Sequence, residues 1–160
     1  MAYKSYRPKD FEMVVVRHEN RLYRIALSIT GNISDADDIV QEAFLRAYEK
    51  APEFESGEHE KAWLIRVTIN LCKSRLRSPW HRRIVPLLDS YPASEPEQHE
   101  LMEQIMELPR KYRTVIHLYY YEGYSIKDIS GLTGQRNSTV RSQLTRARQK
   151  LKSFLKEELK

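Results

Sequence analysis

The chain has 160 residues, 31% of them charged and 41% hydrophobic, with a formal net charge of +5. That length allows one domain or two small ones, and the charge favours a polyanionic partner, nucleic acid or an anionic membrane, over a basic one. A single cysteine, Cys72, excludes an internal disulfide, and no signal peptide or apolar run of spanning length is evident. The expectation is a soluble, cytoplasmic protein without membrane insertion.

In chain order, Phe11, Val14, Val15, His18, Leu22, Ile25, Ala26 and Ile29 recur at spacings of three and four. This predicts an amphipathic first helix, ended by Gly31 and Asn32. Ser34 is the expected N-cap of a second helix, with Asp37 three residues on completing a variant of the capping box. Its apolar positions are Ala36, Ile39, Val40, Ala43, Phe44, Ala47 and Tyr48, and Pro52 marks its end. Glu55 to His59 reads as a loop. A third helix then carries Ala62, Trp63, Arg66, Ile69, Asn70, Cys72 and Leu76 as far as Pro79. Trp63 and Cys72 read as core residues of that stripe.

Charge divides the chain more sharply than hydropathy does. From Lys61 to Arg83 there are seven cations and no Asp or Glu, a run that repels itself unless an anion meets it. Between Pro86 and Leu108 the balance reverses, with Asp89, Glu95, Glu97, Glu100, Glu103 and Glu107 and no Lys or Arg. Pro86, Pro92 and Pro96 interrupt any helix there, so residues 79–100 are expected to form a flexible acidic linker. It would join two small helical domains, 6–78 and 101–160. No convincing run of alternating strand residues occurs, and the expected fold class is all-α.

In the second module Leu101, Ile105 and Leu108 suit a short helix. Pro109 suits the first turn of the next, whose apolar face is Tyr112, Val115, Ile116 and Tyr119 and which Gly123 closes. Ile126 and Ile129 mark another short helix. Gly134 sits where a tight turn needs φ > 0, with Ser138 beyond it as an N-cap. Val140, Leu144, Ala147 and Leu151 define a longer last helix. This is a helix-turn-helix pattern. Arg141, Ser142, Thr145, Arg146 and Gln149 fall off the core stripe of the last helix, where side chains could reach base edges and phosphates in a major groove.

The five histidines show no metal-ligand spacing with Cys72, and there is no phosphate-cradling glycine loop. No catalytic residue, metal or cofactor is expected. The residues by themselves leave open a helix-turn-helix regulator that binds operator DNA without polymerase, and a helical adaptor with an incidental basic surface.

Two stretches carry a family resemblance. LPRKYRTVIHLYYYEGYSIKDISGLTGQRNSTVRSQLTRARQKL resembles the promoter-binding fourth domain of bacterial sigma factors. DADDIVQEAFLRAYEKAPEF with AWLIRVTINLCKSRLR resembles their second domain. Two such domains joined by a linker are similar to the extracytoplasmic-function (ECF) group of the sigma-70 family.

The resemblance implies binding to core RNA polymerase, through its β′ clamp and β flap, and to promoter DNA, with an anti-sigma factor as a further partner. By resemblance, the polymerase-facing residues are Asp38, Ile39, Gln41, Glu42 and Phe44. Arg66, Asn70 and Lys73 would meet the melted minus-ten element, and Arg141, Ser142, Thr145 and Arg146 the minus-thirty-five element. Where the family often has an apolar residue after the turn glycine and a Gly before the Thr of the last helix, this chain has Gln135 and Ser138.

Overall fold

The structure, a computed structural model, describes residues 8–77 and 103–158, with side chains for 10–77 and 103–153. The expected linker, 79–100, lies outside the described residues, as do Leu101 and the outer bounds expected for the two domains. The chain forms two compact units, Met1–Pro86 and Leu87–Lys160.

The described residues of the first unit form α1 (Pro8–Thr30), α2 (Ile33–Lys50) and α3 (Gly57–Leu76), each packed on the other two. Leu22, Ile25, Leu27, Ile39, Leu64, Ile65 and Ile69 are fully enclosed, and Cys72 is buried with them. Burial of each large aliphatic side chain contributes about 1.5–3 kcal/mol, which is what holds helices of modest intrinsic stability together.

Gly31 ends α1 at φ 67, in the left-handed region that favours glycine. The chain restarts at once: Asn32 is extended, and its side chain accepts from the Asp35 amide at 3.1 Å. Asn32 rather than Ser34 is therefore the N-cap of α2. Both residue types cap equally well, and the position of the glycine turn decided between them. Likewise α3 starts earlier than expected, because Ser56 caps it by accepting from the His59 amide at 3.1 Å. Glu58 and Glu60 then sit in the first turn, at the positive end of the helix dipole.

The described residues of the second unit form α4, helical over residues 103–107, then α5 (Arg110–Ile116), α6 (Ile126–Thr133) and α7 (Asn137–Glu158). α5 and α6 both pack on α7, around Ile105, Ile116, Leu118, Ile129, Val140, Leu144 and Ala147. α5 widens into a π-helix over His117–Tyr121, where the Glu122 amide donates to the His117 carbonyl at 3.3 Å. Single-turn insertions of this kind rotate the following side chains relative to an α-helical register.

The reciprocal capping box expected at Ser34 is found instead at α6. There the Asp128 amide donates to Ser125 Oγ at 3.1 Å and the Ser125 amide donates to Asp128 Oδ2 at 3.4 Å. Gly134 closes α6 at φ 74, as its place in the turn predicts. The turn is tied by Ser130 Oγ, which donates to the Gln135 carbonyl at 2.5 Å. This gives Gln135 a backbone role that needs no apolar side chain. α7 begins at Asn137, so Ser138 lies inside the first helical turn rather than capping it.

Candidate polymerase and promoter interfaces

On α2 the expected polymerase-facing residues separate by helical phase. Asp38, Gln41 and Glu42 are exposed, whereas Ile39 and Phe44 turn inward. Phe44 meets the ring of Phe11 edge-on at 6.4 Å, and Phe11 in turn meets Tyr48 at 5.0 Å. Phe44 therefore fixes the helix rather than presenting itself on its surface. The outward residues line an open groove of about 670 Å³ between α2 and α3, together with Leu45, Leu71 and Arg75.

Arg75 forms one edge of that groove and binds Asp35 at 3.1 Å and Asp38 at 3.2 Å. Burial opposes its charged form, but the hydrogen bonds and charges of Asp35 and Asp38 prevail and raise its pKa above the ordinary value. Part of the cationic run is thus met by the protein's own acids. The pattern gave no sign of this, because the acids belong to another helix some forty residues earlier.

Arg66, Asn70 and Lys73 are all exposed and recur at i, i+4 and i+7, so α3 brings them to one outward stripe. Asn70 consequently lies among cations on the surface, not on the apolar face of α3. Just before that stripe, Phe54 packs edge-on against Trp63 at 5.7 Å and His59 at 5.2 Å. Trp63 is half-buried in this aromatic cluster rather than enclosed in the core.

The base of α3 carries a buried polar network. Arg21 Nη1 donates to His18 Nδ1 at 2.7 Å, which leaves His18 Nε2 as the donor to Glu60 Oε1 at 3.0 Å. Arg17 reaches the same carboxylate at 3.4 Å. This is a neutral imidazole, in keeping with a pKa lowered chiefly by burial and held partly in check by Glu60.

In the second unit, Arg141, Ser142, Thr145, Arg146 and Gln149 are all exposed, and with Ser138 they line a single open depression of about 500 Å³ on α7. Thr145 Oγ1 donates to the Arg141 carbonyl at 3.0 Å, leaving its lone pairs outward. Arg146 also lines a cleft with Tyr112 of α5, and its nearness is the main reason the Tyr112 pKa falls below its ordinary value. Arg148, by contrast, is held by the π-helix. Its Nε donates to the Tyr120 hydroxyl at 2.6 Å, and its guanidinium lies 5.2 Å from the Tyr119 ring and 5.5 Å from the Tyr120 ring.

The residue that sequence patterning passed over is Arg75, whose partners Asp35 and Asp38 are fixed by a contact between helices that no spacing within one helix encodes.

A basic helix-turn-helix unit and a separate helical unit with an exposed acidic and amide face define a transcription protein. Residues 14–82 match the Sigma-70 region 2 family and residues 98–151 match the Sigma-70, region 4 family. The chain is 33% identical over 150 residues to the ECF RNA polymerase sigma factor SigM of Mycobacterium tuberculosis, covering 91% of this chain and 76% of that protein. To SigE of Mycolicibacterium smegmatis it is 31% identical over 159 residues, covering 91% of this chain and 62% of that longer protein. It is also similar to the solved sigma factor RpoE in complex with the anti-sigma factor NepR from Bartonella quintana. There the TM-score is 0.76 and the identity 26%, covering 92% of this chain and 98% of that one. The chain belongs to the ECF group of RNA polymerase sigma factors, which in general are not enzymes.

Proposed function

We propose that this chain directs core RNA polymerase to promoters by docking on polymerase through its first unit and contacting two promoter elements, one with each unit. Asp38, Gln41 and Glu42, with the groove beside them, form the proposed polymerase-docking face. Ile39 and Phe44 set the orientation of α2 from beneath. The stripe of Arg66, Asn70 and Lys73 is the proposed contact to melted minus-ten DNA. Bases freed from the duplex can stack on aromatic rings, and Trp63 stands beside the stripe in chain order. Arg141, Ser142, Thr145 and Arg146 form the proposed minus-thirty-five face, in the place a recognition helix occupies in a major groove.

The observation that carries this reading is that two separate sigma-family matches occur in one chain in order, and that in each the outward residues of the motif gather on one face. Phosphodiester chemistry would belong to polymerase, and the chain itself would supply only binding and positioning in the cytoplasm. A protein of the anti-sigma class is the proposed inhibitor, because the similar RpoE structure holds one.

The test is to mix the chain with core polymerase and map transcript starts. A stable complex with discrete starts is expected. DNA binding that is sequence-selective without polymerase, and unchanged by it, would instead identify an operator-binding regulator.

A further inference from the structure

Two carboxylates on the outward face of α2 already hold an arginine in the free protein. Glu42 holds Arg46 at 3.3 Å, one turn along the same helix, and Asp38 holds Arg75 of α3 at 3.2 Å. All four residues line the groove between α2 and α3, so among the described residues that line it the acids and the arginines cancel.

The two pairs differ in how firmly the arginine is held. Arg46 is about as exposed as its partner, and a pair of that kind within one helix is weak. Arg75 is anchored from behind, because the same nitrogen, Nη1, also donates to Asp35 Oδ1 at 3.1 Å, and the Asp35 side chain is only 12% exposed. Nη1 carries two N–H groups, one for each carboxylate. Breaking the outer bond therefore leaves the guanidinium beside Asp38, still fastened by the inner one.

We propose that Arg75 is a placeholder for a cation of core polymerase: docking passes Asp38 from Arg75 to a lysine or arginine of polymerase, while Arg75 keeps Asp35. The proposal rests on the reading of α2 as the polymerase-docking face and adds a regulation of that face. In the free chain the placeholder neutralises Asp38, which stabilises the first unit and weakens docking. An incoming cation must displace one bond and then sit next to a guanidinium that cannot swing away. The opposite role, in which Arg75 holds Asp38 ready for polymerase, is the smaller effect. Asp38 has a short side chain with few rotamers to freeze, and its place on α2 already turns it outward.

The test measures, in parallel, the affinity of the full chain for core polymerase and its stability to urea. Arg75→Gln is expected to unfold more easily and yet, once corrected for the folded fraction, to bind polymerase about two- to fivefold more tightly, the factor that one exposed ion pair represents. Arg75→Met keeps an apolar stem of similar reach without the charge and is a second neutral variant with the same expectation. Ile69→Val loosens the same unit from its buried core and should leave the affinity of the folded chain unchanged. Asp38→Asn is expected to weaken docking more in the Arg75→Gln chain than in the wild type, and Arg75→Gln to give no tightening in the Asp38→Asn chain. The tightening should fade as salt is raised, because Asp38 is exposed.

Unchanged or weaker binding by both neutral variants of Arg75, or equal losses from Asp38→Asn in the two backgrounds, would overturn the placeholder and leave the docking face intact. No loss from Asp38→Asn in either background, together with none from Gln41→Ala and Glu42→Ala combined, would overturn that face itself. The wild-type complex is also used to select a promoter duplex from a random pool, and a chain that selects no sequence with polymerase overturns the sigma reading as a whole.

Discussion

Arg75 of α3 binds Asp35 and Asp38 of α2 at 3.1 and 3.2 Å, so the two helices that bear the proposed polymerase and minus-ten faces are joined by one side chain. The Arg75 side chain is 29% exposed and that of Asp35 only 12%, whereas Asp38 is 57% exposed. The inner bond is therefore shielded from solvent and the outer one is largely screened.

Arg75→Ala should destabilise the first unit by about 1–2 kcal/mol, less than a fully buried charged pair because of the exposure of Asp38. Asp35→Asn should cost more than Asp38→Asn. Urea unfolding of the three variants ranks them, and equal costs for the two Asn changes would show that burial does not separate the bonds.

The face of α2 should divide by phase. Gln41→Ala combined with Glu42→Ala is expected to weaken core polymerase binding in a pull-down and leave the helical signal unchanged. Its stability cost is small, because Glu42 loses only an exposed bond to Arg46 of 3.3 Å, worth about 0.2–0.5 kcal/mol. Phe44→Ala should act the other way, lowering stability by about 3–5 kcal/mol through the cavity beside Phe11.

His18 makes the first unit sensitive to acid. Its pKa in the folded chain is below the unfolded value of 6.5, so the unfolded state takes up the proton first. The corresponding stability is present above pH 6.5 and is lost as pH falls below it. Protonation at Nδ1 also removes the acceptor that Arg21 uses. Thermal unfolding between pH 7.5 and 5.5 should show the loss, and His18→Gln should flatten the curve. An equal slope in both proteins would assign the acid sensitivity to other groups.

On α7, Arg141→Ala should cost about 1–3 kcal/mol of promoter binding and relax preference at one base pair, as expected of a group that reads a base edge. Lys152→Ala should weaken all sequences alike. Binding to a panel of single-base variants of the selected duplex checks both, and a uniform loss for Arg141→Ala would place it on phosphate.

The helices and their order were legible because an apolar repeat of three and four is a local signal, and the three glycines with positive φ, Gly31, Gly123 and Gly134, punctuate it in the expected places. The exposed residues of the candidate faces were legible for the same reason. Asp38, Gln41 and Glu42 fall off the stripe that buries Ile39 and Phe44, and Arg141, Ser142, Thr145 and Arg146 fall off the one that buries Val140, Leu144 and Ala147. Caps were less legible, since Asn32, Ser34 and Ser138 are chemically suited alike and the turn geometry selected only the first.

By itself, then, the sequence determined an all-α chain, the two motifs in order and which side of α7 meets solvent, all of which depend on residues within a few turns of one another. Only the tertiary structure decided the pairings. It set Arg75 on Asp35 and Asp38, Glu60 on His18, and Arg148 on the tyrosines of a π-helix that no apolar period announces. Those bonds join residues 28 to 42 positions apart. Packing between helices, not chain proximity, brings such charges together, and a period along one helix carries no information about the neighbour it meets.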